Sequence, residues 1–235
     1  MWLQRERPEP HLCRQYSATS FQSLRPMTPD EKQRIIQRYN ERLNNLGETA
    51  QALGWRDSSQ QRLRFRILAE VANLSDCSAL DIGCGFGDLL DYMTEAGAQN
   101  VNYTGTDLNP ALIEVAQKRH PAASFFATTD LSQFPDSSQD YVFLSGLFNF
   151  KIEDNEGFMH DTVRESFRIC RKAVAFNLLG SYVDFKEEHL FYHAEQEVFH
   201  FAKSLSRFVT LRADYPLYEF TVYLHKPEAV KALHA

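Results

Sequence analysis

The sequence predicts an α/β fold: a mostly parallel, seven-stranded sheet with helices on both faces, an antiparallel last strand, and an N-terminal helical lid ahead of the sheet. Three observations predict it. From Ser78 onward, short apolar runs alternate with amphipathic segments, the pattern of a parallel sheet whose crossovers are helices. The first of these runs ends in Asp81-Ile82-Gly83-Cys84-Gly85-Phe86-Gly87, a strand-to-helix turn whose glycines let the backbone bend sharply and a ligand press against it. The last two runs, 208–213 and 218–225, are joined by a short link containing Pro216, which makes a hairpin and reverses the final strand.

Residues 1–27 mix Arg, Pro, Ser and Gln without apolar periodicity, so a loosely ordered arm is expected there. Residues 28–77 form the expected lid. Thr28-Pro29-Asp30-Glu31 supplies a cap, a proline at the first helical position and a glutamate three residues after the cap. Ile35, Tyr39 and Leu43 follow at helical spacing, and Gly47 can stop the helix. A second helix begins at Ser58 or Ser59 and carries Leu63, Ile67 and Val71 on one face. Residues 78–235 form the core. Its strands are expected at 79–82, 102–106, 124–127, 141–145 and 173–178, followed by the terminal pair. Helices continue from the glycine turn through Leu89, Leu90, Tyr92 and Met93, then cover 109–119, 158–171 and a stretch after Ala194. A chain of 235 residues accommodates one such core with the added helices.

Composition narrows the function. Hydrophobic residues make up 43% and charged residues 24%, ordinary for a globular protein. Lys and Arg number 25 against 31 acidic residues, a formal charge of −6, and no basic stripe interleaves with aromatics; nucleic acid is not expected as a partner. Cys13, Cys77, Cys84 and Cys170 lack paired metal-ligand spacing and read as reduced thiols of a cytoplasmic protein. No apolar run approaches a membrane span. A small-molecule substrate is the partner to expect, and the sequence gives no reading of oligomeric state.

Ligands of open α/β sheets bind outside the carboxyl ends of the strands, so chemistry-bearing residues are sought there. After the glycine turn comes Asp107, closing Tyr103-Thr104-Gly105-Thr106-Asp107 about 20 residues further on, where an acidic residue holds ribose hydroxyls. Asp130, in Thr128-Thr129-Asp130-Leu131, can accept a proton from an adenine amino group or simply complete a turn. Ser145-Gly146-Leu147-Phe148-Asn149 follows the fourth strand, beside the reacting end of a cofactor. Dinucleotide sites place a third glycine where this chain has Asp88. A carboxylate there repels a diphosphate and suits a cationic sulfonium or ammonium group.

The set Leu80-Asp81-Ile82-Gly83-Cys84-Gly85-Phe86-Gly87, Gly105-Thr106-Asp107, Asp130-Leu131 and Asp140-Tyr141-Val142-Phe143 resembles the motif series of class I S-adenosylmethionine-dependent methyltransferases, which are Rossmann-like. Tyr218-Glu219-Phe220-Thr221-Val222-Tyr223-Leu224 is similar to that family's reversed seventh strand, so the likeness runs from Ser78 to Lys226. It implies S-adenosylmethionine as cofactor. Gly83, Gly85 and Gly87 would form the turn against its methionine portion, with Asp81 holding the amino group. Asp107 would bind the ribose, Leu108 would pack on adenine, Asp130 and Leu131 would read the adenine edge, and the Ser145 carbonyl would face the ammonium. Family members acting on adenine or amide nitrogen often carry Asn/Asp-Pro-Pro-Tyr after the fourth strand. Ser145 to Asn149 departs from that pattern, leaving O-, N-, S- or C-methylation of a small molecule open.

The substrate side is expected in the lid, in Phe148 and Asn149, and in the run from Tyr182 to His193. Asp184, His189 and His193 are the candidate catalytic groups, with Tyr182 and Tyr192 beside them and Tyr39 closing from the first helix. His189 and His193 have the spacing of helical metal ligands, but a run this rich in charge reads as a solvated surface loop and no metal is expected. Two rival readings remain: a binding module without transfer activity, and an NAD-dependent oxidoreductase.

Overall fold

The computed structural model describes residues 27–232, so the expectation of an N-terminal arm lies, apart from Met27, outside the described residues. Seven strands form one sheet: β1 (Ser78–Ile82), β2 (Asn102–Asp107), β3 (Ser124–Ala127), β4 (Gln139–Leu144), β5 (Cys170–Leu179), β6 (Val209–Arg212) and β7 (Glu219–His225). Their order is β3-β2-β1-β4-β5-β7-β6. β1 to β5 run parallel, whereas β7 is antiparallel to both β5 and β6. The chain builds outward from β1 to β3 and then returns to place β4 on the other side of β1, which opens a crevice between the β1 and β4 ends.

Strand alternation divides the core. Leu80, Ile82, Val142, Leu144, Val174 and Phe176 point to one face, against Met159 and Val163 of α5 (Asn155–Ile169) and Val198 and Phe201 of α6 (Glu195–Leu205). Ala79, Phe143, Ala175 and Tyr223 point to the other. There they meet Phe65 and Leu68 of α2 (Ser58–Ala69), Leu89 and Met93 of α3 (Asp88–Glu95) and Ile113 of α4 (Pro110–Arg119).

The helices ahead of β1 take two different positions. α1 (Pro29–Leu46) opens with the expected capping box: Glu31 N donates to Thr28 Oγ1 at 3.2 Å and Thr28 N donates to Glu31 Oε2 at 2.8 Å. It lies beside the carboxyl ends of the strands, where Tyr39 and Leu43 pack on Phe86, Leu112 and Val115. Asn109 Nδ2 donates to Asn40 Oδ1 at 2.8 Å, and Glu153 N donates to Glu31 Oε1 at 2.7 Å. α2 is instead part of the helical layer on the sheet. Its buried face is Gln61, Arg64, Phe65, Ile67 and Leu68, displaced from the expected Leu63, Ile67 and Val71; the helix ends at Ala69, before Val71.

Further differences are local. α5 starts at Asn155, three residues early, because Asp154 caps it through Gly157 N at 2.9 Å. It runs directly into β5, with Cys170 already extended at φ −74° and ψ 149°. A short α7 (Pro227–Ala232) follows β7. Among the described residues no helix is long and apolar enough to cross a membrane.

Candidate active site

A cavity of about 360 Å³ opens at the carboxyl edge of the sheet, over the β1–β4 crevice. Its floor is the glycine turn. Gly83 N and Cys84 N both donate to the Thr106 carbonyl, at 2.7 and 3.0 Å, pinning the turn to β2. Gly83 and Gly85 have φ of +78° and +55°, a region L side chains rarely adopt, and both line the cavity. Gly87 does not line it. A Cβ there would come within 2.8 Å of the His120 ring, so this glycine serves the packing of α3 on the end of α4.

Two carboxylates line the cavity on β1 and β2. Asp81 is buried at 3% exposure; its Oδ2 accepts from Tyr103 Oη at 2.5 Å while Oδ1 has no partner in the protein. Burial pushes its pKa up to about 7, against the opposing hydrogen bond from Tyr103. Asp107 accepts from Gly85 N at 3.0 Å and Asn109 N at 2.8 Å. Burial raises its pKa too, partly offset by those backbone donors. Leu108, Leu131, Ser145 and Asn149 also line the cavity, and Tyr39 closes it from α1, edge-on to Phe150 at 5.8 Å between ring centroids. Burial, then Asp107, raises the Tyr39 pKa and keeps it a neutral phenol.

Four lining residues carry buried polar atoms without protein partners: Asp81 Oδ1, Thr106 Oγ1, Ser145 Oγ and Asn149 Oδ1. Buried polar atoms are normally satisfied, so this set fits a ligand that is itself polar along the β1, β2 and β4 ends.

Other expected positions are elsewhere. Asp130 is exposed and spends Oδ1 on Ser132 N and Ser132 Oγ, at 3.0 and 2.6 Å, capping the 3₁₀ turn Leu131–Gln133. Asp88 is not a lining residue: Gln61 Nε2 and Arg119 Nη1 donate to it at 2.8 and 3.0 Å. Arg119 balances its charge, so Asp88 does not select a cationic ligand by facing it. Phe148, 1% exposed, is a core side chain packed on Phe158 and Phe176.

The run after β5 is a loop, not a helix, so His189 and His193 share no helical face. Bridges Phe150↔Leu190 and Gly180↔His193 hold it against the body, and of this run only Leu190 lines the cavity. His193 is buried with its ring 4.7 Å from that of Phe191, and burial pushes its pKa down to about 4. His189 is exposed beside Glu187, with 3.6 Å between Nδ1 and Oε2. Asp184 accepts from Tyr218 Oη at 3.3 Å, Tyr182 Oη from Gln196 at 2.6 Å, and Tyr192 Oη from Glu187 N at 3.1 Å. Among the described residues no three His, Cys, Asp or Glu side chains gather as a metal ion requires.

Sequence reasoning missed the far wall of the cavity: Trp55, Arg64 and Glu219. Arg64 and Glu219 form a buried ion pair, and the Arg64 guanidinium lies 4.6 Å from the Trp55 ring. Burial raises the Glu219 pKa, against the Arg64 charge. A glutamate opening a strand with no other acidic residue was the available signal.

A family model described as a methyltransferase domain matches residues 79–172. Over 167 residues the chain is 32% identical to Rv1506c of Mycobacterium tuberculosis, a protein named as a methyltransferase; the match spans 66% of this chain and 98% of that one. A SAM-dependent methyltransferase from Archaeoglobus fulgidus superimposes with a TM-score of 0.56 at 14% identity, covering 74% of this chain and 96% of that one. Another, from Aquifex aeolicus, gives 0.52 at 16% identity, covering 72% and 93%.

Proposed function

Because the chain belongs to the class I S-adenosylmethionine-dependent methyltransferases, we propose that it methylates a small molecule held in this cavity beside the cofactor, between α1, α2 and the ends of β4 and β5. The observation that carries the reading is the row of unpartnered buried atoms on Asp81, Thr106 and Ser145, continued by the Asp107 carboxylate. A zwitterionic methionine end would satisfy Asp81 and Ser145, the ribose hydroxyls would meet Asp107, and Leu108 and Leu131 would pack on adenine. The cofactor supplies an electrophilic methyl group on its sulfonium. The protein's share is then to orient the acceptor in line and keep water out.

Tyr39 and Phe150 provide the water-excluding closure, from α1 and from the loop after β4. The titratable side chains available to the acceptor among the described lining residues include carboxylates and the Tyr39 phenol, with no histidine among them. A concave site lined in part by Trp55, Tyr39, Phe150 and Phe158, together with the net charge of −6, favours a small molecule over nucleic acid.

Isothermal titration with S-adenosylhomocysteine and with NAD tests the reading. Micromolar affinity for the former and none for the latter is the expected result; tight NAD binding alone would overturn it. Binding without transfer to any acceptor in a broad metabolite extract would instead favour a binding module.

A further inference from the structure

We infer that the end of the cavity beyond β4 is an acceptor subsite for an uncharged, largely apolar molecule that presents a hydroxyl or other neutral protic group to the Arg64–Glu219 pair. The inference rests on the methyl-transfer reading of the same cavity and names its substrate class.

The strand order fixes the geography. Asp107 ends β2, the glycine turn follows β1, Ser145 follows β4, and Leu179 ends β5. Since β7 is antiparallel, its first residue, Glu219, pairs with Leu179 and so stands one strand further on. The residues proposed to hold the cofactor occupy β2, β1 and β4, and Glu219 lies beyond them. Trp55 spans the gap: it stacks on Arg64, and its ring crosses Gly146, where a Cβ would come within 2.5 Å of it.

The chemistry of the pair is that of a neutral acceptor. Arg64 Nε donates to Glu219 Oε1 and Oε2 at 2.8 and 2.9 Å, Nη2 donates to Oε1, and Nη1 donates to the Gln60 carbonyl at 2.9 Å. The guanidinium is thereby largely committed. A carboxylate offers about four acceptor positions and Arg64 engages it from one side, so Glu219 keeps capacity for one more donor. The pair has no net charge, and its side chains are only 9% and 2% exposed. An ion pair this buried is a poor source of stability, because desolvation offsets the attraction.

Beside the polar Gln60 and Gln61 of α2, this part of the lining is apolar: Trp55, Phe150, Phe158, Leu179 and Leu190. The other lining carboxylates, Asp81 and Asp107, are engaged by Tyr103 and by backbone N–H groups on the cofactor side. Arg56, the remaining charged lining residue, is exposed. A charged acceptor would lose its hydration against the buried Arg64–Glu219 pair, whose two charges already neutralise each other. A hydroxyl would gain a charge-assisted hydrogen bond.

The test uses protein saturated with S-adenosylhomocysteine, titrated with 4-butylphenol, 4-butyltoluene and 4-butylbenzoate, and with 4-alkylphenols of increasing chain length. Expected are a preference of roughly tenfold or more for the phenol over the toluene, weaker binding of the benzoate, and a gain of about threefold per added methylene. Arg64→Met/Glu219→Met should keep its S-adenosylhomocysteine affinity and lose the phenol preference. Glu219→Gln, which preserves shape but frees the guanidinium charge, should raise benzoate affinity about tenfold and serves if the double variant does not fold. A wild-type preference for benzoate, no dependence on chain length, a phenol preference surviving in the double variant, or unchanged benzoate binding in Glu219→Gln would each overturn the subsite. Failure of the wild type to bind S-adenosylhomocysteine would instead defeat the methyl-transfer reading beneath it.

Discussion

Tyr103 and Asp81 stand on adjacent parallel strands, and the tyrosine hydroxyl donates to Asp81 Oδ2 at 2.5 Å in the floor of the cavity. The bond fixes one carboxylate oxygen and leaves Oδ1 without a protein partner, facing the cavity proposed to hold the cofactor.

The first prediction follows from the Asp81 pKa of about 7, raised from 3.8 by burial. A raised acid pKa means that the folded state holds the proton longer than the unfolded one. The group's contribution to stability is therefore full below 3.8 and lost as pH rises through about 7. A ligand ammonium offsets that loss by favouring the ionised form. S-adenosylhomocysteine should bind several-fold more tightly at pH 8 than at pH 6, with proton release visible by titration in buffers of different ionisation enthalpy. Asp81→Asn should flatten the profile.

Asp107→Ala should weaken S-adenosylhomocysteine binding at least tenfold, since hydrogen bonds to a charged group contribute roughly 1.5–3 kcal/mol each. The same carboxylate also holds Gly85 N and Asn109 N, so the loss should exceed that in Asp107→Asn, which keeps one oxygen. Equal affinity in Asp107→Ala and the parent protein, by calorimetry, would remove Asp107 from the site.

Gly105→Ala tests packing under the turn. A Cβ there would lie 2.6 Å from the Phe125 ring and 2.8 Å from Cys84 Sγ, so overpacking should cost about 1–3 kcal/mol. The thermal midpoint should fall by several degrees, and Phe125→Leu in the same chain should restore part of it.

The reversal of the last strand, the starts of α1 and α4 and the glycine turn were legible because each depends on local residue type: Asn109-Pro110 starts α4, and Thr28 with Glu31 boxes α1. Asp81, Asp107 and Ser145 were legible as strand ends. What stayed hidden depends on neighbours distant in sequence. Asp88 meets Arg119 and Gln61, and nothing in its own surroundings announces either partner. His193 sits in a polar-looking run yet is buried on aromatic rings, because Gly180 bridges to it and turns it inward. Arg64 and Glu219 are 155 residues apart, so no local pattern joins them.

Glu31→Ala should loosen α1 without touching the sheet. It removes half of the capping box and the acceptor for Glu153 N, a cost of about 1–2 kcal/mol. Amide exchange should quicken by about tenfold in residues 29–46 and change little in β1 and β4; equal protection in α1 would show that the box and tether are not what hold the helix down.

The placement of β7 between β5 and β6 has a consequence for biosynthesis. Until residues 219–225 have left the ribosome, β5 presents an open apolar edge, β6 has no strand to join, and Arg64 waits in the helical layer without its counter-charge. Early-made strands can pair as they emerge, but this sheet closes only when a late segment inserts between two earlier ones, a slow, long-range step that leaves an unpaired edge open to other chains. Nascent chains paused before Glu219 thus carry an unpaired β5 edge, and the strand that brings Glu219 to the cavity is also the one that covers it.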